Sequence, residues 1–131
     1  MSLLGMFVLS ACTRNHGDIG IWFGTWHVES VTADGTRVNL TGEYFFQFQS
    51  TVFRVSKVCG HEDLVESFGT WEEQNSTMTI DFPDPDVFYI DMQGLESHNV
   101  FTMSDVTSKE ATFTKVDATG VSYTYQLKKS Y

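Results

Sequence analysis

Residues 44–49 are Tyr-Phe-Phe-Gln-Phe-Gln, a stretch in which Tyr44, Phe46 and Phe48 alternate with side chains that include two glutamines. Successive side chains of a β-strand point to opposite faces of the sheet, so this alternation predicts a strand with one apolar and one more polar face. The same period of two recurs from Gly24 to the end of the chain, without a sustained helical stripe. The pattern indicates an antiparallel sheet with one face in the core and the other in water.

Turn residues divide the alternating stretches into eight or nine predicted strands. Asp34-Gly35 is a hairpin signal, and the prolines at 83 and 85 prevent a central strand there, because proline lacks the ladder donor. One helical turn is expected around residues 18–23. The predicted strands cover residues 24–33, 43–49, 51–58, 64–73, 77–82, 87–92, 99–105, 109–116 and 121–129. Strands at this spacing, without helices between them, predict a sandwich or a barrel.

The composition indicates one globular domain with an excess of negative charge. The chain has 131 residues, with 8 Lys and Arg against 17 Asp and Glu, and a formal net charge of −9. Nucleic acid is excluded as a partner, because affinity for phosphates requires clustered cations. Two cysteines are too few for a disulfide scaffold or a four-thiolate zinc site.

The amino-terminal residues have the features of a targeting segment. The apolar run at residues 3–9 is too short to cross a bilayer as a helix, but it has the length of the hydrophobic part of a secretory signal. It departs from a usual signal in having no Lys or Arg before it. The alternative is that residues 3–11 form an apolar core strand.

Leu9-Ser10-Ala11-Cys12 resembles the lipobox of bacterial lipoproteins, in which a peptidase cuts before the cysteine and the cysteine is acylated. The resemblance implies a signal peptide over residues 1–11, a lipidated Cys12 with a flexible tether over residues 12–19, and a barrel domain over residues 20–131. It also implies that the protein lies in the bacterial cell envelope, held at the outer membrane through the lipid anchor at Cys12 only.

Two Gly-x-Trp motifs narrow the choice between sandwich and barrel. Gly24-Thr25-Trp26 opens the first long predicted strand, and Gly69-Thr70-Trp71 repeats the pattern. Together with the last predicted strand, at residues 123–128, these motifs are similar to those of the lipocalin and calycin superfamily. More narrowly, they resemble the lipocalin-like lipoproteins of Bacteroidetes. The resemblance implies an all-β fold, a small antiparallel up-and-down β-barrel of eight or nine strands.

The resemblance also implies structural roles for Gly24, Trp26 and a cation of the last strand. In lipocalins the tryptophan lies across the closed end of the barrel, and the cation packs on its ring. Alternation along residues 121–127 places Lys129, and not Lys128, on the inward side. A cation–π contact is therefore expected between Lys129 and Trp26; the alternative is a frayed, solvent-facing terminal lysine.

The barrel interior is the predicted binding site. An eight-stranded barrel is just wide enough to be filled by its own side chains or to hold one small ligand, and both outcomes stay open here. A small apolar ligand is expected to contact the inward-facing residues Phe46, Phe48, Phe53, Met78, Ile80, Phe88, Ile90, Met92, Phe101, Met103, Tyr123 and Tyr125.

Other chemistry finds little support in the sequence. Asp81, Asp84 and Asp86 do not have the spacing of a calcium loop. Cys59 and His61 lack two further ligands at zinc-site spacing. Nucleophile elbows, metalloprotease motifs and phosphate-binding loops are absent from the sequence. We expect no metal, no cofactor and no enzymatic activity.

Two functions remain. The first is a lipid-anchored envelope protein that holds a small hydrophobic ligand in its barrel. The alternative is an interaction or inhibitor module with a filled barrel, whose acidic outer surface binds a basic protein. No Lys or Arg lies between Lys57 and Lys109, so this stretch creates a negative field that attracts cations.

Overall fold

A computed structural model of the protein describes residues 20–59, 63–83 and 92–130. The described part contains nine strands and, at residues 20–22, a turn that precedes the first of them. The strands are β1 (Gly24–Ala33), β2 (Thr36–Arg37), β3 (Glu43–Gln49), β4 (Val52–Cys59), β5 (Asp63–Gln74), β6 (Thr77–Asp81), β7 (His98–Ser104), β8 (Glu110–Val116) and β9 (Ser122–Lys129). Within these ranges no helix is long and apolar enough to cross a membrane.

The strands form a closed antiparallel barrel. Each strand from β3 to β9 pairs with the next along the chain, β1 pairs with β3, and β9 returns to pair with β1. Trp26 lies opposite Phe46 on one side and opposite Lys129 on the other. The two-residue β2 only extends the hairpin at the end of β1. This topology confirms the predicted all-β, up-and-down barrel, with eight strands in the ring and one extra strand.

The observed strands differ from the predicted ones in two of the segments that connect the strands of the ring. The short strand β2 was not predicted, because two residues are too few to show an alternation. The strand predicted over residues 87–92 lies outside the described residues except for Met92, which is not in a strand. Because β6 pairs directly with β7, the ring closes without a strand between them.

A β-bulge in β1 changes which residues face inward. The register with β9 shifts between Val28 and Ser30, which leaves Glu29 as the extra residue. Val28 is buried before the bulge, and Val31 is buried after it. The inward-facing side therefore changes from even to odd numbers within one strand.

The barrel has two ends, which we name the base and the mouth. The base contains residues 20–26 and the end of β9. The mouth contains the turns at residues 34–42 and 117–121, together with residues 92–97, which we call the mouth segment. Because neighbouring strands are antiparallel, the start of β1 and the end of β9 lie at the same end of the barrel.

Inward-facing side chains fill the centre of the barrel. In β3 the buried residues Tyr44, Phe46 and Phe48 alternate with more accessible neighbours, as the sequence predicted. The buried hydrophobic residues form one cluster that draws on every strand of the eight-stranded ring. On the outer face, Phe68 and Val116 are the most exposed large apolar side chains of the described part, at 57% and 62%.

Candidate functional site

Aromatic side chains and one lysine close the base of the barrel. Trp26 is fully buried, and its indole nitrogen donates a hydrogen bond to the carbonyl of Trp22 at 3.1 Å. The Lys129 ammonium lies 4.9 Å from the centroid of the Trp26 ring and donates to the carbonyl of Ile21 at 2.5 Å. Burial lowers the pKa of Lys129. Gly24 has a φ of 118°, a conformation that side chains disfavour, and it brings the chain from residues 20–23 into β1.

Above the base, phenylalanine rings pack against one another. The ring centroids of Phe48 and Phe53 are 5.2 Å apart, and those of Phe46 and Phe53 are 5.3 Å apart. Phe113 lies 5.2 Å from Phe101 and joins the opposite wall to this cluster. All five rings are 0% exposed. The lower half of the interior is thus occupied by the protein's own side chains, at the distances that aromatic pairs prefer.

A loop, and not a strand, fills the mouth. Met92 and Leu95 are buried, although neither belongs to a strand. The Tyr125 hydroxyl donates to the carbonyl of Gln93 at 2.7 Å. Gly94 lies against Tyr123 and Tyr125 so closely that a Cβ would collide with both side chains, and its φ is 84°. The mouth segment therefore enters the barrel and covers its inward-facing tyrosines.

A buried lysine anchors the mouth segment. The Lys115 side chain is 2% exposed, and its ammonium donates to the Gly94 carbonyl at 2.5 Å and to Oε1 of Glu96 at 2.9 Å. Its third partner is Oδ1 of Asn99, also at 2.9 Å. An ammonium has three protons, and here each of them has an acceptor.

Asn99 and Glu96 complete this network with backbone contacts. The fully buried Asn99 amide donates to the carbonyls of Ile80 and Glu96, and its oxygen also accepts from the Glu96 amide. The second carboxylate oxygen of Glu96 accepts from the backbone of Ala118 at 3.1 Å. The hydrogen bond from Lys115 is the main cause that lowers the pKa of Glu96. Burial raises the pKa of Tyr125 well above its usual range.

A second lysine, Lys57, lies beside a buried tyrosine near the mouth. Lys57 follows Phe53 and Val55 on the inward side of β4, and its ammonium lies 5.7 Å from the centroid of the Tyr44 ring. In the sheet Lys57 is opposite Tyr44 on β3 and Val65 on β5. Lys57 is half-buried, whereas Lys115 is buried, and both cations lie in the mouth half of a chain that carries a charge of −9 as a whole.

Ten of the twelve predicted ligand contacts lie among the described residues, and all ten are buried. They are Phe46, Phe48, Phe53, Met78, Ile80, Met92, Phe101, Met103, Tyr123 and Tyr125. Phe88, Ile90 and the predicted lipidation site Cys12 lie outside the described residues. Met92 lies in the mouth segment, and Tyr123 and Tyr125 contact that segment through Gly94.

The sequence analysis missed the polar residues of the mouth. Lys115, Asn99, Glu96 and Lys57 were not among the predicted site residues. A usable signal was present in β8, where Lys115 shares the period of two with the inward Ala111 and Phe113. Because Lys115 is charged, it interrupts the alternation of apolar and polar residues, and the alternation therefore did not predict that it faces inward.

The grooves on the outer wall include two that are lined by described residues. The larger, of about 520 Å³, is lined by residues that include Glu29, Asp105, Glu110 and Lys128; the smaller, of about 120 Å³, lies beside Phe68. Near the larger groove, His27 is hydrogen-bonded to Glu29 at 2.5 Å and to Glu43 at 2.6 Å. No group of three or more metal-ligating side chains occurs in the described ranges. The acidic-surface alternative stays a prediction, because no contact in these grooves favours a protein partner.

The fold is similar to that of solved proteins. A lipocalin-like protein from Bacteroides uniformis has a TM-score of 0.66 at 17% identity, over 84% of this chain and 99% of that one. An uncharacterized protein from Bacteroides eggerthii has a TM-score of 0.62 at 16% identity, over 82% and 98%. A redesigned β-barrel has a TM-score of 0.54 at 15% identity, over 85% and 93%. No protein-family model and no curated protein matches the sequence. At these identities the likeness concerns the fold alone, which is that of a lipocalin-like β-barrel.

Proposed function

We propose that the protein is a binding protein and not an enzyme, and that it holds a small, mostly apolar ligand in the mouth half of its barrel. The observation that carries this proposal is the way in which the inward polar groups of the mouth are satisfied. Lys115 and Tyr125 donate to the mouth segment, whose carbonyls lie in a loop and not in the barrel wall. A ligand with suitable acceptors can take over hydrogen bonds that single groups of a loop now accept, while the apolar side chains of the loop stay in the mouth. The hydrogen bonds of a strand in a closed ring cannot be exchanged in this way.

The composition of the mouth supports the same proposal. Small-molecule sites are mostly apolar and contain a few polar groups that orient the ligand. Here Tyr123, Leu95 and Met92 supply apolar surface, while Lys115 and Asn99 supply the polar groups. The base offers no comparable arrangement, because its aromatic rings contact one another directly.

The test is a titration of the full chain with the uncharged fluorophore N-phenyl-1-naphthylamine. We expect saturable binding of one fluorophore per chain at micromolar concentrations, and displacement by 1-decanol. Two variants locate the site. Leu95→Asn places a polar side chain in the mouth and should weaken binding several-fold, whereas Val116→Asn makes a similar change at a side chain that is 62% exposed on the outer face and should leave binding unchanged.

Two results would contradict the proposal. One is the absence of saturable binding to a chain whose circular dichroism is that of a β-sheet. The other is equal binding by the Leu95→Asn and Val116→Asn variants, because that result would move the fluorophore out of the mouth. Thermal unfolding of both variants serves as the control for folding.

We further propose that the protein is held at the bacterial outer membrane by an acylated Cys12. The support is the Leu9-Ser10-Ala11-Cys12 sequence, and Cys12 lies outside the described residues. Several acyl chains hold a protein firmly, since burial contributes about 0.8 kcal/mol per CH₂. In a bacterial host supplied with labelled palmitate, the wild type should incorporate the label and Cys12→Ser should not. Equal labelling of the two forms would exclude acylation at Cys12.

A further inference from the structure

We infer that the ligand class is a single-headed amphiphile with a carboxylate, and that its headgroup binds Lys115 at the position which Glu96 holds in the described structure. This inference rests on the proposed function and specifies its ligand. It concerns the Lys115 ammonium, its three acceptors and the apolar side chains around them.

Lys115 occupies a position at which an apolar residue is expected. It follows Ala111 and Phe113 on the inward side of β8, where an apolar side chain would fill the barrel without removing a charge from water. Burying an ammonium is costly unless it is paired and hydrogen-bonded. A buried ion pair is also a poor source of net stability, because apolar replacements are often as stable. A lysine at this position therefore indicates a recognition role more than a packing role.

The charged partner of Lys115 is partly exposed to solvent. Glu96 belongs to the mouth segment, and its side chain is 37% exposed, whereas that of Lys115 is 2% exposed. The carboxylate thus reaches the buried ammonium from the solvent side. A ligand carboxylate arriving from the same side would keep the number of charge pairs unchanged, while Glu96, which also accepts from the Ala118 amide, would exchange its bond to Lys115 for water. Asn99, which is fixed by the Ile80 carbonyl, would remain as the second acceptor for Lys115.

The surface next to the Lys115 ammonium is apolar. In the sheet Lys115 is opposite Tyr123, and the Tyr123 and Tyr125 ring centroids are 6.4 Å apart in a stacked arrangement. Leu95 and Met92 are buried in the same half of the barrel. An anionic headgroup on Lys115 would therefore have apolar surface directly beside it, which suits an alkyl chain.

The charge distribution of the protein differs between its outer surface and its interior. The chain carries −9 overall, so an anionic ligand is repelled at long range. The Lys115 ammonium is buried near the mouth, and local charges in a low-dielectric cleft act more strongly than distant ones in water. This buried cation therefore favours an anion inside the barrel, whereas the negative outer surface repels one.

The test compares decanoate with 1-decanol, which differ only in the headgroup. Both displace N-phenyl-1-naphthylamine from four forms of the full chain: the wild type, Lys115→Met, Glu96→Gln and Lys128→Met. Lys128 is an exposed lysine of the outer wall, so its variant removes the same charge outside the mouth. All titrations are run at pH 8, where decanoate is ionised.

We expect the wild type to prefer decanoate over 1-decanol, and Lys115→Met to lose about tenfold or more in decanoate affinity, which is the size of one hydrogen bond to a charged group. Affinity for 1-decanol should change less than about threefold, within the cost of an uncharged contact. Glu96→Gln should bind decanoate more tightly, because it removes the competing carboxylate but keeps the shape of the side chain. Lys128→Met should behave as the wild type.

The outcomes separate this inference from the proposed function. If Lys115→Met and the wild type bind decanoate equally while both bind 1-decanol, the inference is wrong and the proposed function stands. If neither decanoate nor 1-decanol displaces the fluorophore from any of the four forms, the proposed function itself fails. If Lys115→Met does not fold, Glu96→Gln decides the question, because unchanged or weaker decanoate binding by that variant also overturns the inference.

Discussion

The base and the mouth of this barrel are closed in different ways. At the base, Trp26 is fully buried beneath Lys129 and against Trp22, and the closure is made by side chains of the residues that begin and end the ring. At the mouth, the closure is made by residues 92–97, which are held by hydrogen bonds to Lys115 and Tyr125.

Because of this difference, the base contributes mainly to stability and the mouth can serve as a binding site. Aromatic packing at the base buries apolar area without polar groups that need partners, and large buried rings contribute most to the stability of a core. The mouth contains a buried charge and buried amide groups, which contribute little net stability but can exchange one acceptor for another. A barrel of this size can therefore be a filled core at one end and a site at the other.

The largest effect is expected at the base. Trp26→Ala should lower the free energy of unfolding by about 3–5 kcal/mol, because it leaves a large cavity and removes the ring beneath Lys129. The measurement is urea-induced unfolding followed by circular dichroism. Phe68→Ala, at a side chain that is 57% exposed, is the control and should change stability by less than about 0.5 kcal/mol. Equal losses in the two variants would mean that the base does not dominate stability.

A smaller effect is expected at the mouth. Gly94→Ala forces a side chain into a left-handed conformation and against Tyr123 and Tyr125, so it should cost about 2–3 kcal/mol. Gly120→Ala is the matched control, because Gly120 has a φ of 93° but open space around it, and it should cost about 1 kcal/mol from the backbone alone.

Amide hydrogen exchange of the two variants shows where the change occurs. In Gly94→Ala, exchange should accelerate at residues 93–97 and stay slow in β3 and β4, because the base remains packed. If exchange accelerates equally throughout the barrel, the mouth segment is part of the same cooperative unit as the base, and the comparison between the two ends no longer holds.

The smallest effect is expected on the outer wall, and it depends on pH. Burial lowers the pKa of His27, but the hydrogen bonds to Glu29 and Glu43 outweigh it, so the pKa is raised above 6.5. The charged histidine therefore stabilises the fold fully below pH 6.5, and this stabilisation is lost as the pH rises through the raised value. The difference in unfolding free energy between the wild type and His27→Gln should be larger at pH 5.5 than at pH 8.5, by up to about 1 kcal/mol.

Glu96 at the mouth should respond in the opposite direction. Its pKa is lowered from 4.5, chiefly by the hydrogen bond from Lys115, so its stabilisation is present above pH 4.5 and is lost as the pH falls through the lowered value. The difference between the wild type and Glu96→Gln should accordingly shrink below pH 4. Parallel pH profiles for the two variants would contradict both assignments.

The fold could be predicted from local alternation, but the mouth could not. Strands β1 and β3 match the predicted bounds of residues 24–33 and 43–49. In a sheet with one buried face, the polarity of each residue shows whether its side chain faces the core or water. The bulge at Glu29 was not predicted, since one extra residue leaves no compositional trace in a strand. Nor could alternation locate residues 92–97, whose burial depends on contacts with β8 and β9 that are distant in sequence.

The base also brings the two ends of the described barrel together. The Ser130 amide donates to the carbonyl of Thr25 at 2.8 Å, beside the contact between Lys129 and Ile21. A short linker could therefore join these ends, and new termini could be opened at Asp34-Gly35, an exposed turn at the opposite end of β1. Such a circular permutant would keep every strand pair of the ring, and a label placed in the linker next to Ser130 would lie at the base and leave the mouth free.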